Sequence, residues 1–252
     1  MTKTKSMSQT LALLYHEVID DYSESGFQNK DNLAYMHKTE VFREHVNLVL
    51  KKIEENPALN YQFTFDDGGI SNLKSARILE EKGLKGIYFI TTKRIGTPGF
   101  LSEEDIRTLR KEGHTIGTHS HTHPMIFRAL SYGKMLEEWK VSKDILEEIL
   151  GEEILYASVP GGDSDQKTYD SAAEVGLKFI YDSEPIVEKR NLKESEIYGR
   201  FSVKAQTSHQ QLEEMLTLKN LSSLQRNRKI KGAIKRFIFP IHQFIQNKKN
   251  EQ

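Results

Sequence analysis

The segment Thr64-Phe65-Asp66-Asp67-Gly68-Gly69 closes an apolar run that begins at Tyr61 with two adjacent carboxylates and two glycines. A short apolar run stopped by glycine reads as a buried strand followed by a tight turn. Neighbouring carboxylates repel one another, so a strand ending in a pair of them implies a positive partner. Downstream, Gly117-Thr118-His119-Ser120-His121-Thr122-His123-Pro124 offers imidazoles suited to borderline-soft divalent metals. One carboxylate and two histidines make an open three-ligand site. The plainer alternative is a turn or helix-cap cluster built by the aspartates.

Working outward, the apolar runs repeat. Leu11 to Tyr15, Tyr61 to Phe65, Gly86 to Ile90, Thr115 to Thr118, Ile154 to Val159, Lys178 to Tyr181 and Glu196 to Val203 read as seven strands. Between them lie segments of helical spacing. One starts at Thr39, read as its N-cap, and stops before Pro57; another follows Ser71 and stops at Gly83. Ser102 to Asp105 opens a third like a capping box, and Ser131 to Leu150, with Met135, Trp139, Ile145, Leu146 and Ile149 on its buried side, ends at Gly151. Tyr169 to Val175 and Leu212 to Leu218 complete the set. Strands alternating with helices imply parallel βαβ units with right-handed crossovers. Because polar motifs sit at several strand ends, a barrel is preferred to an open sheet.

Length and composition narrow the class. A chain of 252 residues suffices for one barrel plus a tail, and we divide it at 1–218 and 219–252. Formal net charge is zero, which gives no reason to expect nucleic acid. There is no cysteine, so disulfides, thiolate ligands and cysteine nucleophiles are excluded. The apolar run at Leu11 to Leu14 is too short for a signal segment, and no run approaches the roughly 18 apolar residues of a membrane span. A cytoplasmic protein is expected.

Thr-Phe-Asp-Asp-Gly followed by His-Ser-x-x-His resembles the first two motifs of the polysaccharide deacetylase family, the NodB-homology carbohydrate esterases of family 4, over roughly residues 10 to 215. The resemblance implies an irregular, distorted (β/α)7 barrel and a metal-dependent hydrolase that removes acetyl groups from carbohydrate. It also implies Asp67, His119 and His123 as metal ligands, Asp66 as general base, and Zn²⁺ as the ion, with Co²⁺ or Ni²⁺ as substitutes. A zinc ion there would polarise the acetamide carbonyl and bring its water's pKa towards about 7. His121, at spacing two from each histidine, competes as a third nitrogen ligand if the segment is extended; His114 reads as structural.

Two family motifs are altered. Where Arg-x-Pro-Tyr-Gly is usual, this chain has Ser158-Val159-Pro160-Gly161-Gly162. The Gly161 amide, next to Pro160, could still hold an oxyanion, and Arg200 on strand seven is a substitute partner for Asp66. The late histidine that serves as general acid has no counterpart in Ile197 to Val203. Tyr15-His16-Glu17-Val18 instead resembles the Tyr-His opening of the poly-N-acetylglucosamine deacetylase subgroup, which makes His16 the candidate acid, with Asp182 or Glu184 raising its pKa.

The tail is basic and amphipathic: Lys219, Arg226, Arg228, Lys229, Lys231, Lys235 and Arg236 interleave with Ile230, Ile234, Phe237, Ile238 and Ile241, and Pro240 divides it. Peripheral membrane contact through 228–245 and packing on the barrel both fit this pattern. The expected function is N-deacetylation of an N-acetylated sugar, oligosaccharide or lipid-linked glycan. An O-deacetylase and a glycan-binding pseudoenzyme are the alternatives.

Overall fold

A computed structural model describes residues 9–230 and 232. In chain order it contains β1 (Thr10–Tyr15), β2 (Glu17–Val18), β3 (Met36–His37), α1 (Thr39–Glu55), β4 (Asn60–Phe65), α2 (Asn72–Glu80), β5 (Gly86–Ile90), α3 (Glu103–Lys111) and β6 (Thr115–Thr118). These are followed by α4 (Tyr132–Leu150), β7 (Tyr156–Ser158), α5 (Gln166–Glu174), β8 (Phe179–Tyr181), β9 (Arg190–Leu192), β10 (Ser195–Tyr198), β11 (Arg200–Ser202) and α6 (His209–Leu216). Residues 221–230 are also helical.

One parallel-rich sheet runs in the order β11-β1-β4-β5-β6-β7-β8-β10-β9, with β9 antiparallel at its margin. Its two flanks are halves of one segment. β10 pairs with β8 through Ile197 opposite Ile180, and β11 pairs with β1 through Arg200 opposite Ala12, with only Gly199 between the two halves. The seventh strand therefore bends from one neighbour to the other and brings the curled sheet round on itself. A Cβ on Gly199 would lie 2.8 Å from the Ile186 carbonyl oxygen and nearer still to that of Glu184. The bend thus needs a residue without a side chain.

Alternation along the strands sorts the core into two parts. Leu11, Leu13, Tyr15, Phe63 and Phe65 face outward and pack with Phe42, Val46 and Val49 of α1. Inside the curl, Ala12, Ile87, Phe89 and Tyr181 form a small apolar floor, where the Tyr181 hydroxyl donates to Gln62 Oε1 at 3.0 Å. Gly117 leaves room for Phe89, whose ring a Cβ there would meet at 2.7 Å.

Several caps come from across the chain. Thr39 is the first residue of α1 and its cap position is Lys38; Asp20 accepts from the Thr39 N–H at 3.0 Å and so supplies the capping acceptor. Ser71 caps no α2 amide and instead accepts from Val18 N–H at 3.2 Å. Ser102 and Ser131 cap α3 and α4 locally, and α4 ends at Gly151 in the left-handed region, φ 67°.

Candidate active site

The strand register brings the polar ends together. Tyr15 lies opposite Phe65 and Ile90 opposite Thr118, so His16, Asp66 and His119 each follow the last paired residue of their strands at the same rim. Asp66 N–H still donates to Tyr15 O at 3.1 Å and His119 N–H to Ile90 O at 2.8 Å. Beyond them the chain turns sharply. Asp67 (φ 76°), Gly68 (φ 78°), Ser120 (φ 63°) and His123 (φ 56°) occupy the left-handed region, which is costly for the residues with a Cβ and swings Asp67 and His123 towards the same space.

That space is a cavity of about 550 Å³, lined among others by His16, Glu17, Tyr35, Asp66, Asp67, His119, His123, Gly161 and Arg200. Asp67, His119 and His123 turn ligand atoms inward that all lie within 4.8 Å of one another. His119 Nε2 stands 3.6 Å from Asp67 Oδ1, and His123 Nε2 3.4 Å from the same oxygen. His119 Nδ1 is 2.9 Å from the Ser158 carbonyl oxygen, a contact that requires the proton on Nδ1. The Nε2 lone pair of His119 therefore faces a carboxylate. Burial holds this histidine neutral, its pKa lowered to about 4, and a lone pair aimed at a carboxylate calls for a cation between them. The trio fits a divalent metal.

Asp66 is held from behind. Arg200 donates to Asp66 Oδ1 at 2.7 Å and Oδ2 at 2.9 Å, to Ser158 Oγ at 2.7 Å, to Thr64 Oγ1 at 3.3 Å and, through Nε, to Asp182 O at 2.9 Å. Every guanidinium N–H is used, and Arg200 is 1% exposed. Burial alone would push the Asp66 carboxyl up; the Arg200 charge overrides it and holds the group well below the usual carboxylate range.

His16 shares the cavity. Its ring lies 4.5 Å from that of Tyr35, over which Lys204 Nζ sits at 3.2 Å, and its buried Nδ1 has no hydrogen-bond partner among the described residues. Burial lowers its pKa, while Asp67 and Asp66 pull it back up. Asp182 is occupied elsewhere: its carboxylate accepts from the Tyr169 hydroxyl at 2.7 Å, from Arg190 and from Glu184 N–H at 2.8 Å. Glu184 pairs with Arg228. The carboxylates acting on His16 are thus not the two expected from sequence.

His121 stands apart from the trio. The strand stops at Thr118, so the alternation that would align three imidazoles is lost, and His121 Nδ1 lies 3.0 Å from Thr92 Oγ1 beside a separate, smaller cavity. His114 is buried; its Nδ1 accepts from Gly86 N–H at 3.0 Å, leaving Nε2 to donate to Glu80. With neither nitrogen free, the Glu80, Glu112 and His114 group is a poor metal site. Sequence reasoning missed Tyr35, Lys204 and Glu17 as cavity residues. Glu17 is 2% exposed with one carboxylate oxygen unpartnered among the described residues, and burial raises its pKa to about 7. A charged residue directly after His16 was its only sequence signal.

Residues 55–180 match the family described as Polysaccharide deacetylase, and the chain belongs to that family. It is 27% identical over 123 residues to the Bacillus subtilis (strain 168) protein YxkH, a match covering 48% of this chain and 44% of that one, so the chain spans under half the length of this curated relative. Among solved structures, Streptococcus pyogenes deacetylase PplD in complex with acetate is similar at TM-score 0.67 and 18% identity, covering 82% of this chain and 98% of that one. IcaB from Ammonifex degensii is similar at TM-score 0.67 and 19% identity, covering 83% and 97%. At these identities the likeness is one of fold, and it matches the distorted (β/α) barrel expected from the sequence.

Proposed function

We propose that this chain is a metal-dependent carbohydrate N-deacetylase, hydrolysing the acetamido group of an N-acetylated glycan to amine and acetate. The observation that carries the reading is the buried Arg200–Asp66 pair beside the Asp67, His119 and His123 trio. The pseudoenzyme alternative rests on the absent motif arginine and the absent late histidine; the Arg200–Asp66 pair speaks against the first ground, and His16 on the cavity wall is our candidate answer to the second. Ser158 stands where the family has arginine, and its hydroxyl touches the guanidinium that arrives from strand seven.

Asp67, His119 and His123 would hold the ion. When bound, it supplies Lewis-acid polarisation of the acyl oxygen and acidifies a water. Asp66 then takes a proton from the attacking water as it adds to the carbonyl carbon. Arg200 fixes the carboxylate's orientation and keeps it ionised, ready to accept. The Gly161 amide, at a left-handed turn bordering the cavity, is the donor available to the developing oxyanion. As the carbon–nitrogen bond breaks, His16 hands a proton to the leaving nitrogen. An amine leaves poorly as an anion, so cleavage of the amide needs such a donor, which would serve an ester's alkoxide as well.

The test is acetate release across a panel of N-acetylated and O-acetylated sugars and oligosaccharides with added Zn²⁺, Co²⁺ or Ni²⁺. Release from N-acetylated members that requires metal is expected, and a lack of acetate from every member would overturn the reading. A lipid-linked substrate with membrane contact through 228–245 is the finer version. Residue 231 and residues 233–245 of that segment lie outside the described residues, and among the described residues no helix is long and apolar enough to cross a membrane. Liposome sedimentation of the full chain with anionic lipid tests this version, and binding equal to that on neutral lipid would reject it.

A further inference from the structure

The helix at 221–230 lies C-terminal to the family-matched region, yet Leu224, Asn227 and Arg228 line the catalytic cavity. Leu221 and Leu224 pack against the main core, and Gln225 Nε2 donates to Pro185 O at 3.1 Å. Arg228 makes the decisive contacts. Its Nε donates to Glu184 Oε1 at 2.8 Å, and its Nη2 donates to the Gly162 carbonyl. One side chain thus joins the loop after β7 to the loop after β8.

The joined turn needs such a support. Gly161 (φ 64°) and Gly162 (φ 60°) are consecutive left-handed residues, and glycine is the residue whose backbone wanders most freely when unsupported. Gly162 N–H donates to Val159 O at 3.0 Å, which fixes one side of the turn. Ser183 fills the place of a Gly162 side chain, and Arg228 holds the carbonyl. Gly161 borders the cavity, and rotation about these two glycines would re-aim its amide.

We propose that Arg228 is a positioning residue: it pins the Pro160–Gly162 turn to the loop bearing Glu184 and so sets the direction of the Gly161 amide. Its kinetic consequence rests on the deacetylase reading, whereas its structural content does not. Removing an oxyanion donor outright costs about 10²- to 10³-fold in kcat, so loosening one should cost about 10- to 100-fold.

The experiment compares full-length wild type, Arg228→Gln and Arg228→Lys by hydrogen–deuterium exchange over the segment 158–165, alongside steady-state acetate release with metal bound. In Arg228→Gln, exchange in that segment should accelerate by about tenfold or more while the α1 and α3 segments stay unchanged. Lysine should restore part of the protection. The fall in turnover should appear mainly in kcat, since the oxyanion that the Gly161 amide would serve forms only after the ground state. Unchanged exchange at 158–165 in Arg228→Gln overturns the proposal, as does general acceleration throughout the barrel, which would mark a merely structural arginine. If exchange responds as expected but wild type releases no acetate from any substrate, the clamp stands and the deacetylase reading falls.

Discussion

At the scale of single residues, the centre of the molecule is a buried charge pair whose loss is felt twice. Arg200→Gln leaves Asp66 ionised and without its counter-charge, and breaking such a pair costs about 3–5 kcal/mol. Urea unfolding should register a loss of this order together with a large fall in turnover, and an unshifted midpoint would show that Asp66 finds a replacement partner. Asp66→Asn should keep metal and lose turnover, because an amide cannot take a proton; near-normal acetate release would remove Asp66 from the base role. For His16→Ala, the expected fall is about 10²- to 10⁴-fold with metal content intact. Full activity in that variant would leave the acid unassigned. Much of this constellation was legible in the sequence, since Asp66, Asp67, His119 and His123 follow apolar runs in an order with few other meanings. The Arg200 contact was harder to read. The missing motif arginine pointed to Arg200 as its substitute, and the pair is present; which carboxylate it meets depends on the strands that face each other across the barrel, which nothing local to residue 200 specifies.

At the scale of elements, strand boundaries were readable wherever an apolar run met glycine, proline or a charged cluster. The elements that escaped are stabilised by non-local partners. β9 exists through its antiparallel pairing with β10, and the β2–β3 pair joins residues 17–18 to 36–37 across a loop. Helix α6 begins at His209, earlier than the apolar residues suggest, because Ser208 and Gln211 form a capping box. The bend at Gly199 is the most exacting element. Gly199→Ala must displace the Glu184 and Ile186 carbonyls, and overpacking of this kind costs about 1–3 kcal/mol. Since Glu184 also holds Arg228, the same variant should loosen the 158–165 segment. A thermal midpoint equal to wild type would mean that the two halves of the strand can part without cost.

At the scale of the whole molecule, the barrel wall contains a feature set chiefly by burial. His37 and His45 lie 1% and 2% exposed, their rings 5.7 Å apart beside Tyr15, and burial lowers both pKa values to about 4. The second influence on His37 is His45, and on His45 it is His209. Below the ordinary histidine value of 6.5, the unfolded chain binds protons that the folded rings refuse. Stability present above pH 6.5 should therefore drain away as pH falls towards 4, each histidine removing up to about 1.4 kcal/mol for every pH unit crossed. Thermal melts between about pH 7.5 and 4.5 check this, with a shallower slope expected for His45→Gln. A wild-type midpoint that stays level from about pH 6.5 to 5 would contradict it.

The shared seventh strand also bears on how the protein is made. β1 acquires β4 as soon as residues 60–65 are synthesised, but its other edge has no partner until residues 200–202 emerge. For most of translation, the nascent chain carries an apolar strand with an open hydrogen-bonding edge, the kind of surface that recruits other chains. The closing contact spans nearly the whole described sequence, so it belongs to the slow class of long-range pairings. Ribosome-bound chains halted before residue 195 should consequently be more prone to chaperone capture and aggregation than chains released after residue 230.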